Sequence, residues 1–196
     1  MKRLTIILSI LLSLSYTQAY GQTQKYDPFE LSSQRVQDAI TFGKNADYRI
    51  DAFGNYDLGL NKFDLDGGIG YVVIPTPFVE IATMARKFKN LQEDFNYLYA
   101  KKLTNYPPQI RVLLYVNENY SRTRVDCVLL AQEELFVLSD DVLESTICDP
   151  STGKCVRSLI YFIPVDRIRN ETQFTLVLKN LAFGQKNIRV DLTQIK

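Results

Sequence analysis

Histidine is absent from the 196 residues, and this absence limits the chemistry that the chain can perform. A Ser–His–Asp or Cys–His nucleophilic site needs an imidazole as general base, and most zinc sites use one as a ligand. Both kinds of site are therefore excluded within this chain. Tryptophan is also absent, which weakens the case for a sugar-stacking surface without excluding it, because 12 tyrosines remain.

The three cysteines, Cys127, Cys148 and Cys155, predict one disulfide and one buried thiol. Residues 149–154 between the last two are rich in turn formers, and apolar runs lie on both sides. We predict a β-hairpin closed by a Cys148–Cys155 disulfide, with two thiols as the alternative. Cys127 alternates with apolar residues on one face of a predicted strand, and nothing nearby in the sequence would lower its pKa.

Paired carboxylates are the candidates for acid/base chemistry of the kind that hydrolyses glycosides. The two pairs, Glu133–Glu134 and Asp140–Asp141, fall where predicted strands turn, and adjacent strand residues point to opposite faces. Solvated loop charges are therefore favoured over a hydrolase site. The segment Asp64–Gly68 resembles part of a calcium loop, but Gly68 and Pro75 stand at positions 5 and 12, where that loop needs oxygen ligands. We expect no catalytic residue, metal or cofactor.

Aromatic side chains crowd residues 88–106. They could line a groove for a ligand or partner, or they could pack a helical pair onto a sheet, which is the commoner role of such a set. Tyr97 falls off the main apolar stripe and is expected to be the most exposed. The candidate contact residues are Phe88, Phe95, Tyr97 and Tyr99.

Residues 1–21 have the pattern of a cleavable secretory signal peptide. Two cations precede an apolar run of about 13 residues, shorter than the roughly 20 that a membrane-spanning helix needs. Small residues then allow cleavage before Gln22, and an uncleaved anchor is the alternative. We expect an exported, bacterial-type protein that is periplasmic, on the outer surface or secreted, with no transmembrane segment in its mature part.

The charge pattern argues against a nucleic-acid partner. The chain has 23 basic and 22 acidic residues, and loss of Lys2 and Arg3 with the signal peptide leaves it close to neutral. Nucleic-acid binding needs clustered cations that neutralise phosphates, and no such cluster occurs.

Residues 22–108 predict helices separated by irregular segments. A short helix over residues 34–42 follows serines that can cap it, and Gly43 is predicted as its C-cap. Thr76 and Pro77 begin the clearest helix, whose basic residues cluster in the last turn. A further helix is predicted over Gln92–Leu103.

Residues 109–196 change to a period of two, which predicts six or seven short strands separated by turns. The predicted fold class is α+β, with N-terminal helical segments packed on a C-terminal antiparallel β-sandwich. No low-complexity linker separates the parts, so residues 22–196 are expected to form one cooperative unit.

Together these observations favour an exported, non-enzymatic protein of the periplasm or cell surface that acts through protein or envelope contacts. A carrier of a small apolar or lipidic ligand, held between helices and sheet, is the first alternative. A carboxylate-based hydrolase is the second.

Overall fold

The computed structural model describes residues 27–104, 108–131, 133–138, 142–168 and 171–196. The predicted signal peptide, the Asp140–Asp141 pair and Tyr106 lie outside the described residues. The described helices are α1 (Ser33–Asn45), α2 (Pro77–Asn90), α3 (Tyr97–Leu103) and the one-turn α4 (Val165–Ile168). The described strands are β1 (Arg49–Ile50), β2 (Tyr56–Asp57), β3 (Lys62–Leu65), β4 (Gly70–Val73), β5 (Gln109–Asn117), β6 (Asp126–Ala131), β7 (Glu134–Val137), β8 (Val142–Asp149), β9 (Lys154–Phe162), β10 (Gln173–Asn180) and β11 (Gly184–Asp191).

The fold is α+β, with antiparallel sheets of two, five and four strands. The strand order is β3-β4-β5-β9-β8 in the five-stranded sheet and β11-β10-β6-β7 in the four-stranded sheet. Seven of these strands come from residues 109–196. The other two, β3 and β4, come from residues 22–108, where the sequence predicts helices, irregular segments and one short strand over Tyr71–Ile74 that corresponds to β4. The two larger sheets therefore contain more strands than the six or seven predicted for residues 109–196.

The two larger sheets share one buried core. Alternate residues of β5, β6, β9 and β10 are buried in it, which is the pattern expected when two sheets pack against each other. The core residues on the central strands, β4, β5 and β9 of one sheet and β6 and β10 of the other, are fully or almost fully buried. They are Val72, Ile110, Val112, Leu114, Leu159, Tyr161, Cys127, Leu129, Leu176 and Leu178. Cys127 on β6 therefore faces the core, as the alternation in the sequence predicts.

The three longer helices bury a second, separate cluster of apolar side chains. Its members are Val36, Ala39, Ile40, Phe78, Ile81, Ala82, Ala85, Phe95 and Ala100. Gly43 lies inside α1, which ends at Asn45, so its predicted role as C-cap is wrong. A Cβ atom at Gly43 would lie 2.0 Å from the backbone oxygen of Ala82 in α2. Glycine is needed here because the two helix backbones meet at this point.

Each longer helix begins at a side chain that caps its free N–H groups. The hydroxyl of Ser32 accepts from the backbone N–H of Arg35 at 3.3 Å, and Thr76 caps α2 with Pro77 in the first turn. The amide oxygen of Asn96 accepts from the N–H of Tyr99 at 3.1 Å, so α3 starts at Tyr97 and not at Gln92 as predicted.

The helical part covers one half of the outer face of the five-stranded sheet. Tyr71 on β4 and Leu113 on β5 point away from the shared core, yet they are only 7% and 2% exposed. Side chains of α2, including Val79 and Met84, line the same space as these two residues. Helix α2 is thus in direct contact with the five-stranded sheet.

Candidate functional site

The predicted aromatic contact residues lie within the helical part and not between helices and sheet. The rings of Phe88, Phe95 and Tyr99 contact one another, with centroid separations of 5.3 to 5.7 Å. Tyr97 is half-buried, and its hydroxyl donates to Ser33 Oγ at 2.9 Å, whereas Tyr99 is 47% exposed. The expectation that Tyr97 is the more exposed of the two is wrong, because α3 turns Tyr97 toward α1.

The predicted hairpin is formed by β8 and β9, in which Cys148 and Cys155 face each other and are joined by a disulfide. Within the turn, the Asp149 carboxylate accepts from the N–H and the hydroxyl of Ser151 and from the hydroxyl of Thr152, at 2.7 to 2.9 Å. These hydrogen bonds lower the pKa of Asp149 to about 2. The hydroxyl of Ser151 therefore stabilises the turn through its hydrogen bond to Asp149.

Cys127 has the environment of an inert thiol. Its side chain is fully buried in the core shared by the two larger sheets. Burial raises the pKa of this thiol to about 12, because the thiolate would lose its hydration.

The described carboxylates that were candidates for hydrolysis do not lie together in a cleft. Glu133 and Glu134 are exposed at the β6–β7 turn, where Glu133 has a φ of 65°. Asp64 and Asp66 are exposed beside the β3–β4 turn. Within the described ranges, no group of three or more acidic or cysteine side chains could hold a metal ion.

A polar cleft lies between α2, the β1–β2 hairpin and the covered half of the five-stranded sheet. Its volume is about 160 Å³. The polar groups that line it include Asp51, Asp57, Tyr71, Glu80, Thr83, Lys87 and Arg111. Sequence reasoning missed this cleft because its members are far apart in the chain and only the packing of α2 on β4 and β5 brings them together.

The electrostatics of the polar cleft depend on burial and on Arg111. Burial raises the pKa of the Glu80 carboxyl, and the positive charge of Arg111 opposes part of that rise. Burial also raises the pKa of the Tyr71 hydroxyl, and the carboxylate of Asp57 adds to this effect. Lys62 lies over the Tyr71 ring, 3.6 Å from its centroid, and pairs with Asp57 at 3.3 Å.

The other half of the sheet's outer face is open, and its apolar side chains lie on either side of the Ser145–Ser158 pair. Cross-strand pairing aligns Leu143 with Ile160 and Ile147 with Val156, so these side chains stand on one surface. Leu143 is 59% exposed and Ile147 is 48% exposed. We call this surface the outer apolar face, formed by Tyr115, Leu143, Ile147, Val156, Ile160 and Phe162.

A second cavity opens at one end of the sandwich, beside the start of β9. Its volume is about 560 Å³. We call it the end cavity; its apolar and aromatic lining is Ile69, Tyr115, Val116, Tyr120, Val156 and Phe183. Ile69, Val116 and Phe183 also pack against the core that the two larger sheets share.

A buried cation, Arg157, organises the same end of the sandwich. It is 1% exposed on the inner face of β9, and its Nη2 donates to Glu144 Oε1 at 2.6 Å. Its Nη1 donates to the carbonyl of Thr123 at 2.6 Å, and the Asn180 amide donates to the carbonyl of Arg124 at 2.8 Å. The network satisfies the buried charge and fixes the segment between β5 and β6.

Comparison with protein-family models gives no match for this chain, and no curated protein sequence matches it significantly. The structure itself defines an α+β protein with antiparallel sheets of two, five and four strands and one disulfide among the described residues. In the part of the chain that the structure describes, no helix combines the length and apolar character needed to cross a membrane.

Proposed function

We propose that this protein is an exported, non-enzymatic protein that acts through contacts made by the outer apolar face. The observation that carries the proposal is the exposure of Leu143, Ile147, Tyr115 and Phe162 together on one sheet surface. Single exposed apolar residues are common on soluble proteins, whereas several large exposed apolar side chains on one surface, here on either side of the Ser145–Ser158 pair, favour an interaction site.

The rigidity of this surface supports the proposal. The outer apolar face lies on β8, β9 and β5, and β8 and β9 are paired along their whole length. The Cys148–Cys155 bond closes the hairpin at one end. A partner would therefore meet preordered side chains, so little conformational entropy would be lost on binding.

Export is the second part of the proposal, and the N-terminal sequence pattern supports it. The disulfide is compatible with an oxidising compartment, since such bonds are rare where cytosolic reductants act. N-terminal sequencing of the protein recovered from outside the cytoplasm should begin at Gln22. If the protein were recovered only from the cytoplasm, with residues 1–21 still attached, export would be contradicted.

The contact surface is tested by site-specific photo-crosslinking in the producing cells. A photoreactive residue replaces Leu143 in one variant and Leu181 in the control, where the native leucine is 85% exposed but outside the outer apolar face. We expect a discrete protein or envelope adduct from position 143 and none from position 181. Equal yields at both positions, or no adduct at 143, would contradict the proposal.

Carriage of a small apolar ligand is the second candidate, and the end cavity favours it. Its volume of about 560 Å³ lies within the range of about 300–1,000 Å³ that small-molecule pockets occupy. The ligand would sit at the end of the sandwich, and not between helices and sheet as the sequence suggested. Mass spectrometry of organic extracts of the purified protein tests this, with Val116→Arg as the variant that should lose the ligand.

A further inference from the structure

We propose that the polar cleft between α2 and the five-stranded sheet binds a small organic carboxylate, held by the Arg111 guanidinium and the Tyr71 hydroxyl. The cleft is a different part of the molecule from the outer apolar face, and its proposed ligand is independent of the protein's partner.

The placement of Arg111 and Tyr71 is the first argument. Arg111 on β5 is aligned with Val73 on β4, and Tyr71 precedes Val73 by two residues on the same face of that strand. They are thus diagonal neighbours across an antiparallel pair, a spacing that long side chains can bridge. Both side chains line the cleft beneath α2.

The unused hydrogen-bonding capacity of these groups is the second argument. Tyr71 is only 7% exposed, and its hydroxyl makes no hydrogen bond with any described residue. Arg111 likewise forms no hydrogen bond or ion pair within the described ranges, although it is half-buried. Buried or half-buried polar groups normally have partners, and a guanidinium fork matches a carboxylate in a bidentate arrangement.

The charges around the cleft select a monoanion. Lys87 and Arg111 supply positive charge, and Asp57 is paired with Lys62, while Asp51 and Glu80 also line the cleft and would repel a ligand with two negative charges. A carboxylate meets this balance better than inorganic phosphate. Thr83 adds a further hydroxyl on α2.

The volume limits the size of the ligand. The cleft volume of about 160 Å³ lies below the range of about 300–1,000 Å³ that pockets for drug-sized ligands occupy. A carboxylate with a short aliphatic tail fits this space, and the tail would contact apolar lining such as Val79 and Met84. Fatty acids and nucleotides are too large.

The test is an NMR titration of the purified, ¹⁵N-labelled protein with sodium propionate. We expect saturable amide shifts confined to residues around the cleft. Arg111→Gln should weaken binding at least about tenfold, because it removes a charge-assisted hydrogen bond. Tyr71→Phe, which keeps the ring and removes only the hydroxyl, should weaken it a few-fold. Arg189→Gln removes an exposed arginine of β11 and should leave binding unchanged.

Two outcomes would overturn the proposal. One is the absence of saturable shifts, or binding that Arg111→Gln and Tyr71→Phe both leave unchanged. The other is tighter binding of inorganic phosphate than of propionate at the same residues, which would assign a phosphate site. If Arg111→Gln alters amide shifts throughout the protein, Arg111→Lys decides, since it keeps the charge but loses the bidentate geometry and should still bind more weakly.

Discussion

Burial makes ionisation of the Glu80 carboxyl unfavourable. Its carboxyl lies in the first turn of α2, where it faces Tyr71, Asp57 and Arg111 across the polar cleft. Burial raises its pKa, and Arg111 offsets only part of the effect. The folded protein therefore binds this proton more tightly than the unfolded chain does, and this difference couples the protonation of Glu80 to stability.

Glu80→Gln should change how stability depends on pH. Because the folded pKa of Glu80 is raised, its contribution to stability is fully present below the unfolded pKa and is lost as pH rises through the folded pKa. The glutamine side chain has no proton to lose. The unfolding free energy of the variant minus that of the wild type should therefore increase as pH rises. Urea denaturation between pH 4 and pH 8 measures this, with the exposed Glu93→Gln as control. Parallel profiles for Glu80→Gln and wild type would contradict the assignment.

At the residue level, the sequence predicted what depends on local pattern. The hairpin cysteines and the buried position of Cys127 followed from spacing and alternation. Arg157 was not recognised, because its partner Glu144 lies on the neighbouring strand and the carbonyl of Thr123 lies in a distant turn. The polar cleft was missed for the same reason, since Glu80 and Arg111 meet only in the folded chain.

The helices show where local signals suffice and where tertiary contacts decide. Caps and apolar stripes located α1 and α2, because those signals act within one turn. Gly43 was misread as a terminator, since a glycine near the end of a stripe has the same sequence signature as one required by a close helix crossing. Strands β3 and β4 are short and sit among turns, so neither the pairing of β3 with β4 nor that of β4 with β5 was visible in the pattern.

Gly43→Ala should destabilise the protein although alanine is the better helix former. The new methyl group would lie 2.0 Å from a backbone oxygen of α2, so the helices would have to separate. We expect a loss of about 1–3 kcal/mol, the usual range for overpacking. The control is Thr41→Ala, an exposed position in the same helix. We expect the urea midpoint to fall for Gly43→Ala and not for Thr41→Ala, with the slope of the transition unchanged. Equal midpoints for the two variants would contradict this account.

At the scale of the whole molecule, hydrogen bonds to Lys196 join the end of the chain to the segments that precede β3 and α2. Asn61, before β3, accepts from the N–H of Lys196 at 2.9 Å and donates to its carbonyl at 3.0 Å. The buried hydroxyl of Thr76 also donates to that carbonyl. We propose that residues 22–196 form one cooperative unit, because these bonds and the contact of α2 with Tyr71 and Leu113 hold the described parts together.

One unfolding transition should therefore be seen by probes of either part. Helical circular dichroism follows α1 and α2, and reaction of Cys127 with a thiol reagent follows opening of the sandwich core, because burial protects this thiol in the native state. We expect both probes to give the same urea midpoint. Leu181→Cys, at an exposed position, is the control that should react before unfolding. Separate midpoints would show two independent units.

The central claim is that the outer apolar face is the surface through which this protein acts. The most direct measurement is sedimentation of the purified protein with the envelope fraction of the producing cells. The variant Leu143→Glu/Ile147→Glu places two charges on the face. Leu98→Glu/Leu181→Glu makes the same charge change at two exposed leucines outside it. We predict that the wild type and the Leu98/Leu181 variant bind, whereas the Leu143/Ile147 variant binds at least about tenfold more weakly, as loss of a few buried apolar side chains would cause. Equal binding by both variants, or no binding by the wild type, would contradict the claim.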